Sequence, residues 1–326
     1  MSEPRTTAGH GWPFDPSRRR EDHGFFGPGS PTWKVWTHPT ALLGFQRAVT
    51  LEHFDPFLTA AVADARGIYL DPRGRLDGTL SYFLIVAVGD TRSAIETSEL
   101  LMRVHAKATG IEPISGRRYS ANNPDSQLWI HVTGWHSVLK CYEMFGPGPL
   151  TEVEETQYWA DCAVAAELQT CRAADVPRSR AEVHEYFDAV RSRLCVSESA
   201  LEGMHYLLRT RAGKGRLALW AMSRAMAPAT IATLPKWMRE LGGFDQPVLV
   251  DRAVTPFARA AVRATSTPRV ELAVIRRLLP MTHSVLDQHF NGAPPERAET
   301  LTPAAARELP GARSGGRQRG LAGRPG

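Results

Sequence analysis

The stretch from residue 91 to residue 110, TRSAIETSELLMRVHAKATG, decides the fold class. Within it Ala94, Ser98, Leu101, His105 and Ala108 recur at spacings of four, three, four and three, which puts them on one face of a helix. Asp90 and Thr91 can cap the start of that helix, Gly110 can end it and Pro113 cannot continue it, so a helix is predicted over 92–109. Working outward, the same spacing predicts helices near 40–53, 56–65, 75–89, 125–145, 151–171, 179–193, 197–209, 216–226, 230–241, 252–265 and 270–290. Strict alternation is scarce, no repeat period is found, and Gly116, Asn122, Asn123 and Pro124 make 111–124 a loop. The body therefore reads as all-α, and with no linker inside it as one domain.

The two ends differ from this body. Residues 1–29 and 291–326 are rich in Pro, Gly and charge without hydrophobic period, and both read as flexible tails around a domain at 30–290. Of the net charge of +5, the last segment carries +3 and the first none, which leaves a near-neutral body with little support for a dedicated nucleic-acid surface. Hydrophobic residues at 43% and charged residues at 22% exclude a disordered or fibrous chain. The most apolar run, residues 80–88, lies between Asp77 and Asp90 and is too short to span a membrane. Arg18, Arg19 and Arg20 are followed by Glu21 and Asp22 where an export signal needs an apolar region, so a cytoplasmic location is expected. Cys141, Cys162, Cys171 and Cys195 include no C-x-x-C pair and read as reduced core residues.

Standard catalytic motifs are missing: there is no G-x-S-x-G elbow, phosphate loop or H-E-x-x-H helix. One Glu-x-x-His pair, Glu202 and His205, is half of what a di-iron helix bundle requires. His105 faces inward on its helix, and His131 does the same with Trp135, Val138 and Tyr142 on the next. A buried neutral imidazole can ligate haem iron when its other nitrogen has a partner, although a core histidine bonded to a backbone carbonyl satisfies the same periodicity. His136, next to Trp135, is expected to face away from His131 towards the surface or the surroundings of a site, His184, His205, His283 and His289 have no supporting pattern, and the basic residues around Gly213 and Gly215 read as a solvated turn.

Taken in order, R-x-x-x-T at Arg75 and Thr79, Gly89-Asp90, V-H-x-x-x-x-G from Val104, Y-x-A-x-x-P from Tyr119 and W-x-H from Trp129 resemble the MpaB-type and rubber oxygenase family. These motifs cover residues 75–145, and the helical remainder fits the family's length. The resemblance implies a single globin-like helical domain that holds haem b and uses dioxygen on an apolar small molecule. It places His105 as the proximal iron ligand and Arg75 and Thr79 on the distal side, with His131 a second candidate for the cofactor pocket. Arg75 and a hydroxyl beside bound dioxygen could donate to the charge developing on it, while Arg75 could equally clamp a haem propionate. Gly78 stands where rubber oxygenases carry a Lys able to close the distal side, which implies an open site and a substrate other than rubber. The competing readings are a haem-binding or sensing protein without turnover, and a family member without haem, di-iron or metal-free.

Overall fold

Polar caps set where the helices start. The computed structural model describes residues 13–308. Ser30 opens α1 (Pro31–Trp36), α2 (Thr40–Glu52) follows, Asp55 opens α3 (Pro56–Ala65), and after α4 (Gly67–Leu70) Asp71 opens α5 (Pro72–Val88). Asp90 opens α6 (Thr91–His105), accepting from the Ser93 amide at 2.9 Å, and Asn123 opens α7 (Pro124–Phe145). Thr151, Ser179 and Ser197 do the same for α8 (Glu152–Ala166), α9 (Arg180–Val190) and α10 (Glu198–Leu208). In each capped case a side-chain oxygen takes an amide that the first turn leaves without a partner.

The differences from the expected elements have local causes. α6 stops at His105, and the chain beyond it forms a hairpin of β1 (Thr109–Ile111) and β2 (Arg118–Ser120), paired antiparallel with Thr109 opposite Ser120, where a loop was predicted. Gly110 permits this, since a Cβ there would lie 2.7 Å from the Tyr119 ring. The helices predicted at 216–226 and 230–241 divide elsewhere, into α11 (Leu217–Thr233), which accommodates Pro228, and α12 (Lys236–Leu241) after Pro235. α13 (Val248–Thr265) likewise holds Pro256, whereas the expected helix at 270–290 breaks into α14 (Pro268–Ile275) and α15 (Pro280–Asn291). Pro280 lacks the amide to continue α14 and is placed instead in a first turn, where none is needed. A short α16 (Pro303–Glu308) ends the described chain.

Residues 13–29 and 291–308, expected within the flexible tails, are structured and bound to each other. The His23 amide donates to Glu299 O at 2.8 Å, Glu296 to Arg20 O at 2.9 Å and Leu301 to Gly24 O at 3.1 Å. Buried Asp22 accepts from the amide and hydroxyl of Thr91, and Asp90 accepts from the Glu21 amide, which fastens the pair to the start of α6. Phe25 and Ala306 also enter the main core, with Phe26 and Leu301 packed against it, so a few anchoring apolar residues and main-chain bonds hold segments whose composition is otherwise polar. The remaining tail residues, 1–12 and 309–326, lie outside the described residues.

α2 and α7 form the centre of the core. They meet at Gly44, where a Cβ would fall 2.5 Å from Val138 Cα, so only glycine admits this approach. Trp36 stacks on Phe83 with centroids 5.5 Å apart and meets Trp135 edge-on, while the Tyr158 hydroxyl donates to Trp135 O at 2.9 Å. Asp77 of α5 does the capping that α15 lacks at its own start, accepting from the Met281 amide at 2.9 Å and from the Thr282 amide and hydroxyl at 2.8 Å. Asp77→Ala is expected to cost about 3 kcal/mol, because three donors are left in the interior without an acceptor; urea unfolding within about 0.5 kcal/mol of the parent would contradict this capping role. Among the described residues no helix is long and apolar enough to cross a membrane.

Candidate functional site

Three core helices enclose an apolar cleft with a polar end. α2 contributes Phe45, Ala48, Val49 and Glu52, α5 contributes Thr79 and Phe83, α7 contributes Ile130, Gly134 and Val138, and Trp36 of α1 lies at one side. Each set recurs at helical spacing, so the wall is the inward face of each helix. The free space inside it is about 30 Å³, room for about one water molecule, so the walls are closely packed.

Glu52 is the ionisable residue in this wall, and the motif-based reading missed it. Burial pushes its carboxyl up to about 8, against the opposing effect of Arg75, so it is protonated at neutral pH. Its signal was present in the sequence: it is the only acid of α2 and falls on the apolar face with Phe45 and Val49. Stability should fall between pH 4.5 and 8 on its account, since the unfolded carboxyl ionises first and the unfolded chain then binds fewer protons. Glu52→Gln is expected to remove that part of the decline; an unchanged pH profile of melting temperature would show that Glu52 is ionised in the fold.

Thr79 lines the cleft, and its hydroxyl donates to Arg75 O at 2.9 Å, which leaves oxygen lone pairs towards the cleft. Arg75 is exposed to water, yet desolvation lowers its pKa and its charge acts on both Glu52 and His105. Among the described residues it has no ion-pair partner within 4.0 Å. Open space lies beside Gly78, where a Cβ would meet no atom within 4 Å.

His105, the half-buried last residue of α6, is held down to about 4 by burial and by the Arg75 charge, and so is neutral at pH 7. Its Nδ1 lies 3.2 Å from Gln127 Nε2, an amide that also donates to Ala121 O at 2.5 Å. With that amide donating to both, the ring carries its proton on Nε2. His131 is placed differently, on the side of α7 that meets α8. Its Nε2 donates to Cys162 O at 2.7 Å and its Nδ1 accepts from Gln169 at 3.3 Å, so both nitrogens are taken by protein. The structure thus brings Arg75, Thr79 and Glu52 together with His105 within electrostatic reach, and leaves His131 out as a satisfied core histidine.

The Glu202 and His205 pair lies elsewhere, on an open surface groove of α10, with His205 Nε2 bonded to Gly242 O at 2.9 Å and Glu202 3.7 Å from Arg211. Among the described residues no group of three or more His, Cys, Asp or Glu side chains is placed to hold a metal ion, so the di-iron reading lacks its ligand set. All four cysteines are free.

Fold and site together define an all-α domain with a narrow apolar interior cleft that carries the carboxyl of Glu52 and the hydroxyl of Thr79. Residues 33–267 match the family described as ER-bound oxygenase mpaB/B'/Rubber oxygenase, catalytic domain, and the chain belongs to that family. The match begins well before the motif-bearing stretch at residue 75 and so includes α2 and Glu52. Comparison with curated proteins and with solved structures gives no match.

Proposed function

We propose that the chain is a haem b-dependent oxygenase that acts with dioxygen on an apolar small molecule. The observation that carries this reading is a guanidinium without an ion-pair partner among the described residues, Arg75, whose charge acts both on neutral His105 and on the protonated Glu52 of the apolar cleft. These residues fit the cofactor in donor type: metal ligation needs a neutral histidine with its second nitrogen held, and burial supplies the first condition while Gln127 supplies the second. Ligation through Nε2 also requires the proton on Nδ1, which the Gln127 amide supports once it turns its oxygen to the ring and gives up the Ala121 bond.

His105 would hold the cofactor, and Arg75 would either face the bound gas or grip a propionate. Haem, when bound, supplies the iron at which dioxygen is activated. The chain's own residues do the rest. Phe45, Phe83, Ile130 and Val138 offer no hydrogen bonds, so an apolar substrate that parts these walls would be oriented by shape alone. Glu52 holds a proton at the polar end of the cleft, where it can be given to a basic oxygen and later recovered. Thr79 accepts, and the Arg75 guanidinium donates to negative charge.

The test is oxygen uptake by the haem-loaded full chain with apolar isoprenoids, compared with Arg75→Ala. Loss of a charge-assisted hydrogen bond predicts turnover about ten- to a hundredfold lower at unchanged haem content. Haem loss as the main effect would make Arg75 a propionate clamp, and no substrate-dependent uptake by the parent would remove the oxygenase reading.

A further inference from the structure

α13 is built the wrong way round for a helix in water. Its inner side packs Val254, Ala258 and buried Val262 against Cys141 and Phe145 of α7. Its outer side should then be polar. Instead Leu249, Ala253, Pro256, Phe257, Ala260 and Ala264 fall within one apolar outer stripe, with Leu249 and Phe257 each 75% exposed. Along one edge of the stripe run Arg252, Arg259 and Arg263, at spacings of seven and four, all exposed. Asp251, the only acid of α13, is engaged by Arg239 at 2.8 Å, so the ridge has no counter-charge of its own. α14 continues the pattern, exposing Val270 and Val274 with Arg269, and Arg276 and Arg277 follow its end, also exposed.

We infer that the outer face of α13 lies on the surface of an anionic lipid bilayer. Leu249 and Phe257 are the two large side chains on a strip otherwise made of small residues, which suits shallow entry among acyl chains rather than a deep socket. Arginine stems beside such a strip can run along the interface while their guanidinium groups meet lipid phosphates. A second copy is a poorer occupant, because twofold pairing of this face would bring two unneutralised Arg ridges together. The helix lies on the membrane and does not cross it. The inference is independent of the proposed haem chemistry.

The experiment is co-sedimentation of the full chain with vesicles of equal parts phosphatidylcholine and phosphatidylglycerol, and with phosphatidylcholine alone. Binding should be at least about tenfold stronger to the anionic vesicles and should weaken with salt. The double variant Leu249→Glu with Phe257→Glu should bind about tenfold or more weakly, with an unchanged melting temperature because neither side chain is part of the core. Equal binding to both vesicles, or undiminished binding by a folded double variant, would overturn the proposal. So would a concentration-dependent dimer that the double variant abolishes, since the face would then belong to a second copy.

Discussion

His105→Ala is expected to lower haem affinity by at least about 100-fold, read as loss of the Soret band and of iron from the purified protein. The size follows from chemistry: alanine offers no lone pair to the iron. His131, the other inward histidine of the motif stretch, has both nitrogens bonded and is 1% exposed. A variant with full haem content and an unaltered spectrum would remove His105 from the iron and make another histidine the ligand, His136 of α7 included, since only its Nδ1 is engaged. Far-ultraviolet circular dichroism of the variant separates ligand loss from misfolding, because His105 closes α6 without supporting its core.

Gly44→Ala should give the largest loss of stability, about 3 kcal/mol or more in urea unfolding. The added methyl would sit 2.5 Å from Val138 Cα and 2.9 Å from Val138 N. Those are backbone atoms in the middle of α7 and cannot turn aside as a flexible side chain can. α2 must therefore move off α7, and both carry the walls of the cleft. Gly134→Ala makes an internal control: its Cβ would meet only the Phe83 ring, at 3.6 Å, an ordinary contact. Equal effects from the two substitutions would mean that the helix crossing is looser than its geometry indicates.

The fold was legible where signals were local. Asp90 marks a helix start by capping chemistry that acts over three or four residues, and the structure begins α6 beside it, while Asn123 and Pro124, read as the end of a loop, cap and open α7. Partnerships distant in sequence were not legible. Asp22 with Thr91, and Asp77 with Thr282, join residues 69 and 205 positions apart, and nothing in either local stretch announces the other. Pro228 and Pro256 inside helices show tertiary packing overriding propensity. At the site, the spacing of Arg75 and Thr79 was readable as one helix face, while Thr79's commitment to Arg75 O depends on a rotamer that spacing does not contain. Periodicity put both His105 and His131 inward, and only their partners, one amide against a carbonyl and an amide, tell them apart. Glu52 was overlooked because the reading searched for motifs, whereas its meaning lies in a lone acid on an apolar face.

The main-chain pairing of residues 20–24 with 296–301 has a consequence for the order of events during synthesis. At about 5 to 20 residues per second, the ribosome needs roughly 15 to 55 s between making the first strand of this clasp and the last. Throughout that interval Asp22 and Asp90 wait without the closing segment, and the helix ending in His105 is held at its start by only part of its eventual anchorage. The nascent chain must keep the front of α6 incomplete until its far end has emerged, so the histidine-bearing helix acquires its final restraint only after translation of the last packed residues.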